Sequence, residues 1–257
     1  MKRVGVGEHL LLKPPVEVTL DDGEAHHAVR VLRLRRDEQV QLFDGAGRVA
    51  HGRVRFVNKR EARVVVSIEH LQCEMRPTPH VTIATAIPKG AHAEQMVRQL
   101  TQLGVDRLIP LHTARSVVTP RGGKLERLRR GVIESCKQCG GNFLMRIEAP
   151  EHLETLLNHG ENDFKCIAAP GANGVSVSKA DFGMARRVLI LIGPEGGWTR
   201  EELEATGTAG FRAWRLGPHV LRVETAAAAA AAIVRYLTSD RDAGADRGGF
   251  EARGGCG

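Results

Sequence analysis

Apolar and polar positions change their period once along this chain, between residues 73 and 80. Before the change the apolar residues come in short β-type runs. Val40 to Phe43 and Arg48 to Arg53 flank Asp44-Gly45-Ala46-Gly47, a good hairpin turn, and Arg63 to Ile68 is a β-branched run. These runs predict a small β barrel over residues 1–73. Cys73 to Pro79, with prolines at 77 and 79, is the predicted linker. From His80 the pattern alternates strand and helix: strand Val81 to Ala86, helix Ala91 to Leu103 stopped by Gly104, strand Arg107 to Pro110, helix from about Lys124 to Lys137, strand Lys165 to Ala169. Arg187 then opens an unbroken apolar run to Ile192, which reads as a strand covered on both faces. Thr199 and Glu202 have capping-box spacing, so a helix starts there and runs to Gly210. A further strand leads to a helix with seven consecutive alanines, Ala226 to Ala232. Such alternation implies an α/β domain with a parallel sheet over residues 74–240. The remaining residues, 241–257, are rich in Gly, Asp, Arg and Ala without apolar period, and disorder is expected.

Two corners stand out. Gly193-Pro194-Glu195-Gly196-Gly197 joins the buried strand to a helix, and Leu216-Gly217-Pro218 precedes the alanine-rich one. Neither has the Lys-Ser/Thr of a P-loop or the glycine spacing of a dinucleotide fold. A single Gly-Pro turn more often only reverses the chain. Two strand-turn-helix units in tandem would set both loops side by side at one edge of the sheet, with room for a small cofactor between them.

Those corners, with Leu221-Arg222-Val223-Glu224-Thr225, resemble the RsmE family, the small-subunit ribosomal RNA uridine-N3 methyltransferases of the SPOUT superfamily. His27-Ala28-Val29-Arg30-Val31-Leu32-Arg33, Leu42-Phe43-Asp44-Gly45, Lys89-Gly90, Glu94, Leu103-Gly104-Val105, Arg115-Ser116-Val117-Val118 and Gln138-Cys139-Gly140 fit the same family, in order, over about residues 3–238. The resemblance implies a PUA-like RNA-binding barrel and a SPOUT α/β domain whose carboxyl-terminal segment forms a trefoil knot, a topology that ordinary chains avoid. It further implies S-adenosyl-L-methionine held bent by the knot's loops, a homodimer, and a uridine of 16S rRNA in the small ribosomal subunit as substrate. The pattern departs from the family at His92, Gln99, Gln102, Gly141 and Val223, which bear on RNA or intersubunit contacts more than on the cofactor corner.

Methyl transfer to uridine N3 requires loss of the N3 proton, and negative charge then spreads over O2 and O4. An arginine fork suits that planar anion, which singles out Arg222. Glu224 and Glu195 are the carboxylates able to accept the proton, although each has a structural alternative, as ion-pair partner or helix-start group. Leu191, Ile192, Gly193, Pro194, Gly196, Leu216, Gly217, Val220 and Leu221 are the expected cofactor-binding residues, with Pro170 closing the third side. Arg3, His27, Arg30, Arg33, Lys89 and Arg115 are the candidates for RNA contact. Two readings compete: a SPOUT methyltransferase acting on another RNA, and a non-catalytic RNA-binding protein.

Composition adds a partner class. The 257 residues carry a formal net charge of +7, which favours a polyanion. Between Arg98 and Arg130 eight Lys or Arg residues face only Asp106 and Glu126, and Arg30, Arg33, Arg35 and Arg36 form a second cluster. Either run alone reads as a solvated face; together they suggest an RNA groove shared by both domains. Aromatic content of 4% argues against a stacking platform for long single strands. No signal-type segment or 18-residue apolar run occurs, so a cytoplasmic protein without membrane contact is expected. Five cysteines at irregular spacing predict reduced thiols. Cys136, Cys139, His152 and His159 imitate a zinc finger, but the final gap is too long and no metal is expected.

Overall fold

The computed structural model describes residues 1–7, 14, 16–116, 120, 122–158, 160, 162–169 and 176–239. The described chain divides into two compact units, Met1–Arg76 with Cys136–Leu144, and Pro77–Ser135 with the chain from Met145 on. The expected unstructured tail lies outside the described residues.

The first unit contains β1 (Lys2–Gly5), β2 (Val16–Thr19), α1 (Asp22–Arg30), β3 (Gln39–Phe43), β4 (Arg48–Asn58) and β5 (Arg63–Cys73). Its strands form one sheet in the order β1-β3-β4-β5-β2, parallel between β1 and β3 and antiparallel elsewhere. The β3–β4 hairpin forms at the expected turn because Asp44 organises it. Its Oδ1 accepts the N–H groups of Ala46 and Arg48 at 2.8 and 3.0 Å, and its Oδ2 accepts from Arg48 Nε at 2.6 Å. β4 and β5 run well beyond their expected ends at Arg53 and Ile68. Register shifts after His51 and Val54 explain this, since an irregular ladder breaks the alternation that would have marked the strands. Val64, Val66 and Ile68 alternate into a core completed by Val4, Leu42 and Val54 from the sheet and by Ala25, Ala28 and Val29 from α1. The helix starts where Asp21 accepts the Glu24 N–H at 2.8 Å.

The second unit begins with β6 (His80–Thr85), α2 (Ala91–Gln102), β7 (Arg107–His112) and α3 (Gly123–Cys139), whose last turn belongs to the first unit. β8 (Arg146–Ile147), β9 (Glu151–His152), α4 (Leu153–Leu157), β10 (Phe164–Ala168) and α5 (Lys179–Phe182) follow. β11 (Arg187–Ile192), α6 (Arg200–Thr208), β12 (Arg212–Trp214) and α7 (Val223–Thr238) complete it. All its strand pairs are parallel, in the order β12-β10-β11-β6-β7-β8, with β9 also on β7. β11 is central and buried on both faces, as its apolar run requires. Leu189 and Leu191 face a core with Leu153, Leu156, Trp198 and Phe211, while Val188 and Ile190 alternate to the other face. Each such fully buried aliphatic side chain contributes about 1.5–3 kcal/mol. β8, β9, α4 and α5 escape sequence reading because elements of two to five residues carry no period. β11 and β12 are not neighbours, contrary to the simple tandem picture, because β10 pairs with both.

α7 packs against α2, β6 and β11 through Ala227, Ala230, Ala231 and Val234, whose small side chains allow close approach. Its far end is tied down by Arg235, which donates to Pro79 O at 2.8 Å, to the buried Asp106 at 3.0 Å, and to Gly104 O. Asp106 also accepts the Val81 N–H at 2.7 Å. Cys136, Cys139 and Cys166 are free thiols, whereas Cys73 is disulfide-bonded, a departure from the expectation of reduced thiols throughout.

Candidate active site

A cavity of about 280 Å³ opens at the carboxyl ends of β10, β11 and β12. Ligands of parallel α/β sheets bind at such a place, beyond the strand ends. Its first wall is the end of β11 and the turn after it. Pro194 O accepts the Gly197 N–H at 2.8 Å to close the turn, and Gly197 sits at φ +70°, where glycine is favoured. Trp198 folds back under the turn and donates Nε1–H to Ala168 O at 2.9 Å. A Cβ on Gly193 would lie 2.9 Å from the Trp198 ring, and one on Gly196 would lie 3.1 Å from Arg115 Cβ. These glycines therefore make room for the protein's own side chains. Arg115 Nη1 donates to Gly196 O at 2.8 Å.

The expected capping box is present: Glu202 N–H donates to Thr199 Oγ1 at 3.2 Å, and Thr199 N–H donates to Glu202 Oε2 at 2.8 Å. The other oxygen of this buried carboxylate accepts the Ala114 N–H at 2.8 Å. The segment after β7 is thus fastened to the first corner at two points. Glu201 next to it has its carboxyl held below the ordinary glutamate value by hydrogen bonds from its own backbone N–H and from Thr199, with Arg115 nearby.

The second wall runs from the buried Trp214 to the start of α7 and includes Arg215, Leu216, Gly217, His219, Val220, Leu221 and Arg222. Arg222 is the N-cap of α7, with extended backbone and no side-chain cap bond. Its side chain is exposed and makes no hydrogen bond or ion pair among the described residues. The N–H groups of Leu216 and Gly217 are also without a partner there. Val220 is 80% exposed on the rim.

Of the residues expected at a cofactor, Ile192, Gly193, Pro194, Leu216, Gly217, Val220 and Leu221 line this cavity. Leu191 does not: it is fully buried in the core one residue before the strand end. Gly196 is turned toward Arg115, and Pro170 lies outside the described residues. Among the carboxylates Glu195 lines the cavity, exposed, whereas Glu224 does not. Glu224 is buried on the α2 side of α7, 3.2 Å from His92 Nδ1. Sequence reasoning missed Trp198, Trp214, Arg215, His219, Ala168 and Ala169. The two tryptophans are the only ones in the chain and each adjoins a strand-to-helix corner, a signal that was available.

The candidate RNA contacts divide similarly. Lys89 in the second unit and Arg30 and Arg33 in the first are exposed, and His27 is partly so. Arg115 is engaged at Gly196. Arg3 serves its own unit: it stacks on Phe43, with its guanidinium carbon 4.8 Å from the ring centre, and donates to Gly140 O and Gly141 O at 3.0 and 3.1 Å. A third bond reaches Asn142 Oδ1 at 2.5 Å, and burial draws the guanidinium pKa below its ordinary value. Three N–H hydrogen bonds of this side chain are thus made within its own unit. Among the described residues no group of three or more His, Cys, Asp or Glu side chains could hold a metal, and no helix is long and apolar enough to cross a membrane.

The RNA methyltransferase domain family matches residues 74–235, and the RNA methyltransferase PUA domain family matches residues 20–67. The ribosomal RNA small subunit methyltransferase E of Synechocystis is 30% identical over 86% of this chain and 73% of its own length. That of Mycobacterium tuberculosis is 31% identical over 88% of each. The crystal structure of the Neisseria gonorrhoeae protein of the same name, bound to S-adenosyl methionine, superposes with a TM-score of 0.81 at 29% identity, covering 92% of this chain and 98% of that one. A Legionella pneumophila structure in complex with SAM gives the same TM-score at 29% identity, over 91% and 96%.

Proposed function

Because this chain belongs to the ribosomal RNA small subunit methyltransferase E family, we propose that it transfers the methyl group of S-adenosyl-L-methionine to N3 of a uridine in 16S ribosomal RNA. The observation that carries the reading is a cavity between two Gly-Pro corners with an arginine in its wall, Arg222, that has no partner among the described residues. The cavity suits such a donor. Trp198, Trp214, Leu216 and Leu221 supply apolar surface for a base, and the N–H groups of Leu216 and Gly217, without a partner among the described residues, supply donors for its polar atoms. When bound, the donor supplies an electrophilic methyl group on a sulfonium.

The chain's own residues do the rest. Arg222 stands at the N-terminus of α7, where the helix dipole adds positive potential. Its guanidinium spans two acceptor atoms of an ionised uracil and stabilises the charge that grows as the N3 proton departs. Glu195, on the opposite wall, accepts that proton. Glu224 holds α7 to α2 through His92 and so sets the position of Arg222. Arg30, Arg33, His27 and Lys89 contact RNA phosphates.

The same reading includes closure of the first unit's sheet into a PUA-like barrel, a trefoil knot in the second unit, a homodimer and a cytoplasmic site of action. Support for the knot comes from the last helix, which follows an edge strand yet packs against the central β11 and β6.

The test is transfer of labelled methyl to small-subunit particles and to free rRNA, followed by nucleoside analysis. N3-methyluridine from the wild type and strong loss in Arg222→Ala are expected. Donor binding without any methylated rRNA would leave the non-catalytic reading, and methyl on another RNA would move the substrate.

A further inference from the structure

The first corner contains two adjacent glycines, Gly196 and Gly197, which lose more freedom than any other residues when a turn is ordered. A cavity wall made of such a segment is an effective binding surface only if something else holds it still. Two side chains do so. Arg115 binds the carbonyl of Gly196 at 2.8 Å, and its aliphatic stem fills the space where a side chain on residue 196 would lie. Glu202, 9% exposed, divides its two oxygens between Thr199 N–H and Ala114 N–H, at 2.8 Å each. Arg115 and Ala114 come from the segment after β7, two strands away from β11 in the sheet. That segment is itself stiffened, since Ser116 Oγ accepts the Thr113 N–H at 2.9 Å and donates to Leu111 O at 3.3 Å. The corner is thus latched to a second, separately braced loop.

We propose that Arg115 and Glu202 are positioning residues for the methyl donor: they hold the Pro194–Gly197 turn in its binding-competent form and so set donor affinity. This rests on the reading of the cavity as the donor site. Arg115 accordingly acts on the donor and not on RNA. Preorganisation of this kind removes an ordering cost that the ligand would otherwise meet on binding.

The experiment is calorimetric titration of S-adenosyl-L-methionine into the wild type and the Arg115→Ala, Arg115→Lys and Gly196→Ala variants, with KM for donor and for rRNA measured separately at two salt concentrations. Gly196→Ala places a methyl group against the Arg115 stem and loosens the latch without touching the arginine. Loss of a charged hydrogen bond predicts donor affinity about tenfold weaker in Arg115→Ala. Gly196→Ala should weaken it similarly, and the double variant should be no weaker than either single one. Arg115→Lys should recover part of the loss, and KM for rRNA and its salt dependence should stay at wild-type values. Wild-type donor affinity in Arg115→Ala overturns the proposal, as does a raised KM for rRNA with a shallower salt dependence, which marks a phosphate contact. Failure of the wild type itself to bind the donor would instead overturn the underlying reading of the cavity, and the latch with it.

Discussion

The two Gly-Pro corners occupy equivalent places, each between a strand and a helix, yet they are built in opposite ways. The corner after β11 is fully fastened: Trp198 is packed beneath it, Arg115 lies over it, and α6 starts with a capping box. Among the described residues, the corner after β12 is bare. α7 starts at Arg222 with no side-chain cap, Val220 is 80% exposed, and a Cβ on Gly217 would meet nothing within 4 Å. One wall of the cavity is therefore braced by side chains from elsewhere, and the other has polar groups without a partner among the described residues.

The contrast can be broken from either side. The largest effect is expected from Arg222→Ala, which should lower kcat about 10²–10³-fold, the usual loss when one charge-stabilising donor is removed. Donor affinity and thermal stability should stay near wild type, because among the described residues none bonds this side chain. Next comes Gly193→Ala. Its methyl group meets the Trp198 ring at 2.9 Å, and overpacking of this kind costs about 1–3 kcal/mol, measured by denaturant unfolding. Gly217→Ala is the control and should change stability by less than about 0.5 kcal/mol. Arg222→Ser should have a smaller effect of opposite sign on stability. A serine at an uncapped N-cap adds about 0.5–1 kcal/mol, while activity falls as in the alanine variant.

The smallest effect concerns acid. Glu201 is exposed and its folded carboxyl titrates below the ordinary value of 4.5, so it binds fewer protons folded than unfolded in that range. Its contribution is fully present above the ordinary value and is lost as pH falls through the lower, folded one. Tryptophan fluorescence should therefore report loosening of the first corner in that acidic window, and Glu201→Gln should remove that component of the pH dependence.

Much of this architecture was legible beforehand. The β3–β4 hairpin, the buried run of β11, the Thr199 capping box and the glycine stop at Gly104 all follow from residues a few positions apart, and each forms where expected. Strand ends beyond the irregularities in β4 were not legible, because a register shift erases alternation. Nor were the partners of charged residues. Arg3, Arg115 and Glu224 look alike in sequence to Arg30, Lys89 and Glu195, but the first three are engaged by Gly140–Asn142, Gly196 and His92.

Taken alone, the order of amino acids determined the longer periodic strands and helices, that the apolar run of β11 would be covered on both faces, and that two glycine corners would follow strands of one sheet. Tertiary structure alone decided that β10 lies between β11 and β12, that the glycines of the first corner admit Trp198 and Arg115, and that Glu224 turns away from the cavity while Arg222 does not. The physical reason is range. Capping and periodicity act within a turn or two of backbone, whereas the bonds from Arg115 to Gly196 and from Ala114 to Glu202 join residues 81 and 88 positions apart, which only the packing of the sheet brings together.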